Sequence, residues 1–344
     1  MFDFKKHTQI APEKLIDCHG EPVFGQFDGI VSDLNIRDFN YFNVMDKPMS
    51  ALKRYFHYKQ FQFVSIITPH YIIGVAIADI RYVGSSFCYV YDIHKNKLIE
   101  TTWLRPLGLR YSVGRSPMNG ATEIGSKSNG IRFEIIDGKW HLKIHSKKLS
   151  ANLRLEPLAL SLPMSMCSPT SYSGWTYTQK HNGIKPVGQL TINEEQQPLN
   201  HALASYDFSA GFMRRETSWR WASLNAEIEQ GVIGLNLAAG VNETGNSENV
   251  FWINGERHLL GATQFTFSRH NGAKDGWRIL SENGQVDLHF TPRNVRSEKL
   301  NLMFLKSNFR QFIGDFNGEI HDNAGITYRL SNVLGLTEDH YAKW

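Results

Sequence analysis

The chain has 344 residues, of which 41% are hydrophobic, 12% aromatic and 20% charged. This composition excludes a largely disordered chain and supplies enough apolar side chains for one large core or two smaller ones. The formal net charge of +4, with both signs interspersed along the sequence, gives no basic patch of the kind that binds nucleic acid or an anionic membrane.

The N-terminal segment and the cysteines bear on the location of the protein. The sequence MFDFKKHTQIAPEK has lysines but no apolar stretch after them, so it lacks the pattern of a secretory signal. The apolar run from Tyr71 to Ile80 is shorter than the roughly 20 residues of a membrane-spanning helix. Cys18, Cys88 and Cys167 are far apart, which is typical of a reducing compartment and gives no thiolate metal site. We expect a cytoplasmic protein without a membrane span.

Helical periodicity is scarce, and the clearest case is a short helix over Lys47 to Phe56, with Asp46 as N-cap and Pro48 in the first turn. Strand signals dominate the rest of the chain. Asp137-Gly138, Asn254-Gly255 and Asn283-Gly284 each separate two strand-like segments, as in hairpins with two-residue type I′ turns. The sequence therefore predicts an all-β, antiparallel meander with one short helix near the N-terminus.

Strands this numerous must protect their edges, which favours closed barrels or paired sheets. Ser, Thr, Pro and Gly interrupt the strand rhythm between Met166 and Pro186, as at a boundary between domains. We therefore predict two β-barrel or sandwich domains, residues 1–170 and residues 171–344. A barrel of this kind can keep an interior cavity for one small apolar ligand.

The segment RRETSWRWAS, Arg214 to Ser223, is unusually rich in arginine and tryptophan. In an extended strand, Glu216 shares one face with Arg214 and Arg220, whereas Arg215, Trp219 and Trp221 lie on the other face. Glu216 is then a candidate for a buried or half-buried carboxylate that its arginine neighbours keep ionised. A structural Arg-Glu-Arg ladder on an outer sheet face explains the pattern equally well.

The strand after this motif has one face made of small residues and Asn236. Such a face suits a cavity wall with Asn236 as its polar group, or a surface that accommodates the tryptophans of the preceding strand. The loop NETGNSEN follows, and it holds Glu243 and Glu248 among turn-forming residues. These carboxylates are candidates for acid-base chemistry or for ion pairs with the arginines, although surface acidity is the commoner meaning.

The C-terminal segment LTEDHYAKW ends on aromatic residues, which indicates that it packs against the protein. It contains Glu338 and Asp339 beside His340, and a carboxylate next to a histidine can form an acid-base pair. A helix that begins at Thr337 is the alternative. The sequence shows no pair of histidines suited to a metal and no nucleotide-binding or serine-hydrolase motif, so we expect no metal and no cofactor.

The motifs MRRETSWRWAS, IGLNLAAGVNETGNSENVFWING, LTEDHYAKW and HFTPRNVR resemble those of a bacterial family known as domain of unknown function 2804. The resemblance runs from HGEPVFGQFDG to the C-terminal Trp344. The two-domain all-β layout also resembles, more distantly, the lipocalin-like proteins around carotenoid hydratases and related cyclases. That resemblance implies a lipocalin-like cavity for an isoprenoid or other lipid-like molecule.

These observations predict a protein that binds a hydrophobic or amphipathic small molecule in a barrel cavity, with possible cofactor-free acid-base catalysis such as hydration, isomerisation or cyclisation. The catalytic candidates are Glu216, Glu243 and His340. The ligand-binding candidates are Arg214, Arg215, Trp219, Trp221, Asn236, Glu248, Trp252 and Asp339. The alternative is a structural or adaptor protein with filled barrels, in which the Arg-Glu-Trp strand is only the domain interface.

Overall fold

The computed structural model of the chain describes residues 8–106, 109–241, 246–302 and 305–344. Within these residues the fold is almost entirely β, as the sequence predicted, and it consists of two curled sheets, one a near-barrel and the other a half-barrel. No helix in these ranges is long and apolar enough to span a membrane.

The first sheet contains fifteen strands in the order β6-β5-β4-β3-β15-β13-β11-β10-β9-β8-β7, with β12 and β14 paired to β13, β2 to β12, and β1 to β2. Their bounds are β1 Thr8–Ile10, β2 Gly25–Asp28, β3 Lys59–Ile67, β4 Tyr71–Asp79, β5 Val83–Asp92, β6 Lys97–Pro106, β7 Tyr111–Ser112, β8 Gly120–Ser126, β9 Asn129–Ile136, β10 Lys139–His145, β11 Leu149–Glu156, β12 Met164–Thr170, β13 Gly174–Ile192, β14 Glu195–Gln196 and β15 Leu203–Gly211.

The second sheet contains nine strands in the order β19-β18-β17-β16-β24-β23-β22-β21-β20. Their bounds are β16 Glu216–Ile228, β17 Gly231–Ala239, β18 Val250–Ile253, β19 Glu256–Leu259, β20 Thr263–Phe267, β21 Trp277–Ser281, β22 Val286–Asn301, β23 Lys306–His321 and β24 Thr327–Lys343. The C-terminal strand β24 pairs with β16 on one side and β23 on the other. The C-terminal segment is therefore a central strand, and the alternative of a helix beginning at Thr337 is wrong.

The three predicted hairpins are present, and two have the predicted turn. Asp137 and Gly138 have φ values of 50° and 76°, and Asn254 and Gly255 have 50° and 85°, as a type I′ turn requires. The third connection is longer, because β21 ends at Ser281 and β22 begins at Val286. The Oγ atom of Ser281 accepts a hydrogen bond of 2.8 Å from the Val286 N–H and closes this four-residue loop.

The predicted helix exists, but it begins later than expected, at Ala51, and ends at His57. Ser50 is the N-cap, and its side chain accepts a hydrogen bond from the Lys53 N–H. Pro48 instead forms an isolated β-bridge with Phe42, so the chain is still extended where the sequence suggested a first turn.

The change from one sheet to the other lies between Gly211 and Glu216. The predicted boundary at residue 170 falls between β12 and β13, which form a hairpin within the first sheet. The turn-forming residues there connect these two strands and do not separate two cores. The division of the chain into two independent domains stays a prediction.

The two sheets meet along a polar and apolar seam. The Nδ2 atom of Asn182, on β13, donates to the Ser223 Oγ at 2.8 Å and to the Leu235 carbonyl at 2.9 Å. A Cβ at Gly234 would lie 2.6 Å from the backbone of Asn182, so only glycine permits this approach. The small face of β17 therefore accommodates the first sheet.

Candidate functional site

A cavity of about 280 Å³ lies between the two sheets. Its walls come from β3, β4, β5, β6, β12, β13 and β15 of the first sheet and from β16, β17, β22, β23 and β24 of the second. Aromatic side chains make up much of the apolar lining, namely Phe61, Phe63, Phe87, Trp219, Trp221, Phe309 and Trp344.

Strand alternation explains which side chains of the second sheet face the cavity. On β16 the cavity-lining residues are Thr217, Trp219 and Trp221, each two positions from the next, as the sequence predicted for one face of this strand. On β24 the lining residues include Glu338 and His340 by the same rule. The two central strands thus place two tryptophans beside a carboxylate and an imidazole.

A buried ion cluster forms part of the wall on the side of the first sheet. The Lys180 ammonium on β13 lies 2.9 Å from the Asp207 carboxylate on β15 and 2.6 Å from the Glu248 carboxylate. Lys180 is 5% exposed and Glu248 3%. Burial opposes the charge of Lys180, but the two carboxylates outweigh it and hold the pKa of the ammonium above its usual value.

Glu338 is a further buried carboxyl in the cavity wall, and no lysine or arginine of the described ranges lies within ion-pair distance of it, although the His340 imidazole is 3.8 Å away. Its Oε1 accepts a hydrogen bond from the Trp219 Nε1 at 2.7 Å, and its Oε2 accepts one from the Gln311 Nε2 at 3.3 Å. Burial raises the pKa of Glu338 to about 7, although these hydrogen bonds and the Lys180 charge act in the opposite direction. Glu338 can therefore hold or release a proton near neutral pH.

His340 lies beside Glu338 on the same face of β24. Its ring is held between Trp219, at 4.2 Å between ring centroids, and Phe309, at 4.9 Å. The Nε2 atom is 3.0 Å from the Ser307 Oγ. Burial lowers the pKa of His340 to about 3, so the imidazole is neutral at physiological pH.

Five of the residues singled out in the sequence line this cavity together. They are Arg214, Trp219, Trp221, Glu248 and His340. Their convergence comes from the pairing of β16 with β24 and from the contact between sheets, which brings the segment around Glu248 to Lys180.

Glu216 does not line the cavity, and the expectation of a buried carboxylate between Arg214 and Arg220 is wrong. Its side chain is 54% exposed and pairs with Lys343 at 3.1 Å. A hydrogen bond from the Tyr341 hydroxyl, at 2.8 Å, helps to hold the pKa of Glu216 below its usual value. Alternation places this carboxylate on the face opposite the tryptophans, and Arg215 is exposed nearby.

Asp339 also faces away from the cavity, because it lies between Glu338 and His340 on the strand. Its carboxylate binds three guanidinium groups, those of Arg220 at 3.1 Å, Arg269 at 2.9 and 3.0 Å, and Arg310. Burial opposes its ionisation, but the hydrogen bonds from Arg269 and Arg310 hold its pKa below the usual value. The group is a structural ion cluster on the far side of the sheet.

Two further predicted residues do not line the cavity, and one of them, Asn236, supports it from behind. The Oδ1 of Asn236 accepts a hydrogen bond of 2.7 Å from the Trp221 Nε1, and its Nδ2 donates to the Glu248 carbonyl at 2.8 Å. Trp252 is buried at the seam between sheets, where its Nε1 donates to the Leu162 carbonyl at 2.8 Å. Glu243 lies outside the described residues.

Three polar residues of the cavity wall, Lys180, Asp207 and Gln311, were not predicted from the sequence. Of the two neighbouring carboxyls, Asp339 was predicted as a ligand-binding residue and Glu338 was not. Alternation along an extended TEDHY would have placed Glu338 and His340 on one face, so a signal was available for Glu338. No local pattern marks Lys180 or Asp207, because Lys180 pairs with Asp207 and Glu248, which both come from distant segments. Within the described residues, no cluster of three or more His, Cys, Asp or Glu side chains could hold a metal.

The solved structures that are similar to this one include the following two. A protein from Nitrosomonas europaea, described provisionally as ATTH, is 11% identical over 83% of this chain and 91% of its own, with a TM-score of 0.49. Kievitone hydratase from Nectria haematococca is 13% identical over 83% of this chain and 88% of its own, also with a TM-score of 0.49. No curated protein matches the sequence. A family model described as domain of unknown function (DUF2804) matches residues 6–344.

Proposed function

We propose that this chain, which belongs to the domain of unknown function (DUF2804) family as its motifs predicted, binds a hydrophobic or amphipathic small molecule of the lipid or isoprenoid type between its two sheets. The observation that carries the proposal is the cavity itself, which combines an aromatic wall with a few buried polar groups. This combination is typical of small-molecule sites, because apolar walls supply affinity and a few polar groups set orientation.

The aromatic wall suits the apolar part of such a ligand. The ring of Trp221 meets that of Phe63 edge to face, with 5.8 Å between centroids, so side chains of both sheets enclose the same space. The guanidinium of Arg296 covers Phe87 at 3.8 Å and hydrogen-bonds to Glu100 at 2.9 Å. A domain interface packed solid, the alternative from the sequence, would not leave this space.

The polar part of the ligand has partners on both sheets. Lys180 and Asp207 are close enough to Glu338 to shift its pKa in opposite directions, so the ion cluster and the Glu338 carboxyl share one polar region. The cluster of Lys180, Asp207 and Glu248 combines one formal positive charge with two formal negative charges, so it repels a further anion. A neutral hydroxyl or carbonyl group therefore fits this region better than a carboxylate or another anionic group.

Filling the cavity tests the proposal. Ala238 lines the cavity, whereas its neighbour Ala239 on β17 does not. We expect Ala238→Leu to weaken binding of the uncharged fluorescent dye N-phenyl-1-naphthylamine by about tenfold or more, since the added side chain takes up ligand space. Ala239→Leu is the matched control and should bind the dye as the wild type does. The measurement is dye fluorescence during titration, with circular dichroism to verify folding.

Native mass spectrometry of protein purified from its own host would then identify the ligand. The wild type and Ala239→Leu should carry an organic-extractable small molecule that Ala238→Leu lacks. Equal dye affinity in all three proteins, together with a clean apo mass for each, would contradict the proposal.

A further inference from the structure

The geometry points to Glu338 and His340 as an acid-base pair that moves a proton at a carbon atom next to a carbonyl group of an apolar ketone. This inference rests on the proposed function, because it assigns the reaction and the substrate class to the same cavity. In this pair, the Glu338 carboxyl group can take the proton, and the His340 imidazole can hydrogen-bond to the carbonyl oxygen.

The two side chains are adjacent but not bonded to each other. The Glu338 Oε1 and the His340 Nδ1 are 3.8 Å apart, which is too far for a direct hydrogen bond. The Nδ1 atom is buried and has no hydrogen-bond partner among the described residues. A buried nitrogen of this kind is costly unless something else binds it, so a ligand oxygen that hydrogen-bonds to Nδ1 would complete the site.

Both side chains are held in place by neighbours that do not react. The Tyr89 hydroxyl donates to the Gln311 Oε1 at 2.7 Å, which fixes the Gln311 amide so that its Nε2 donates to Glu338. The Ser307 hydroxyl contacts the Nε2 of His340. When Ser307 donates to Nε2, the neutral ring carries its proton on Nδ1 and can donate it to a carbonyl oxygen.

The reaction is balanced with these two groups alone. The Glu338 carboxylate takes a proton from the carbon next to the carbonyl, the C–H bond breaks, and its electron pair forms the C=C bond of an enolate. The electrons of the former C=O bond move to the oxygen, where the His340 N–H stabilises the charge. Protonated Glu338 then returns the proton to the same carbon, or to a more distant carbon of an unsaturated ketone, which gives an isomer.

Burial, together with the nearby charges, sets the pH at which Glu338 acts as a base. The ionisable groups that line the same cavity are Lys59, Lys180, Asp207, Arg214, Glu248, Arg296, Glu298, Lys306 and His340. With the pKa of Glu338 raised to about 7 by burial, the carboxylate form accumulates as pH rises through that value. The rate of proton removal should rise over the same interval.

Hydrogen-deuterium exchange of 2-tetralone, an apolar bicyclic ketone, tests this inference in D₂O by ¹H NMR. We expect the wild-type protein to accelerate exchange at the carbons next to the carbonyl, with a rate that rises through about pH 7. Glu338→Gln and His340→Phe should each reduce the acceleration by about 100-fold, the lower range for acid-base catalysis. Glu229→Gln, in the exposed turn after β16, should leave the rate unchanged.

Binding of 2-tetralone is measured separately, by quenching of tryptophan fluorescence. Ketone that binds to the wild type without faster exchange would overturn the acid-base pair and leave the proposed binding function intact. Acceleration that survives in Glu338→Gln would also overturn it. Absence of ketone binding, in a protein that also fails the dye titration, would overturn both.

Discussion

Lys180→Met should lower the free energy of unfolding by about 3–5 kcal/mol, the usual cost of removing one partner from a buried ion pair. The ammonium group of Lys180 is the shared partner of Asp207 and Glu248, at 2.9 and 2.6 Å. Without it, the buried Glu248 carboxylate and the half-buried Asp207 carboxylate repel each other and must become protonated or solvated. The measurement is urea unfolding followed by circular dichroism at pH 7.

The chain offers a matched control on the same strand. Lys185 is exposed on β13, so Lys185→Met should change the stability by less than about 0.5 kcal/mol. Replacing the whole cluster, as Lys180→Met with Asp207→Asn and Glu248→Gln, should recover much of the loss because no uncompensated charge remains. A loss below about 1 kcal/mol in Lys180→Met would show that the cluster is not buried in solution.

Local signals predicted the strands and hairpins well, because turns and alternation depend on neighbouring residues. The φ values at Asp137-Gly138 and Asn254-Gly255 follow directly from the residue types. The sheet boundary was not predictable in this way. β13 pairs with β11 over one part of its length and with β12 and β15 over another, and these pairings join segments far apart in sequence.

The site, like the fold, could be predicted only where it depends on residues that are neighbours in the sequence. Alternation within β16 correctly placed Trp219 and Trp221 on one face, apart from Glu216. The chemistry of the cavity, however, depends on Glu338 with its Trp219 donor and on Lys180 with its distant carboxylates. Which carboxyl becomes buried depends on how the sheets assemble. From the sequence alone, Glu216 was therefore as good a candidate for a buried carboxyl as Glu338.

Glu338→Gln should remove the destabilising contribution that Glu338 makes to the wild-type protein as pH rises from about 4.5 to 7. Burial raises the pKa of Glu338 from 4.5 to about 7 in the folded protein. In this interval the folded state keeps a proton that the unfolded state has released, so the free energy of unfolding falls as pH rises. The full effect is about 3 kcal/mol above pH 7, and it is absent below pH 4.5.

The expected result is that Glu338→Gln becomes progressively more stable relative to the wild type as pH rises, since glutamine keeps a neutral side chain beside Trp219 and Gln311. The comparison must be made between variants, because His340, with its pKa lowered to about 3 by burial, contributes a stability that rises with pH in both proteins. Glu229→Gln controls for loss of an exposed carboxylate and should show no such trend. Parallel stability curves for wild type and Glu338→Gln from pH 4.5 to 8, measured by urea unfolding, would mean that the Glu338 carboxyl ionises normally. The acid-base pair would then lack a carboxyl tuned to neutral pH, whereas the binding cavity does not depend on that ionisation.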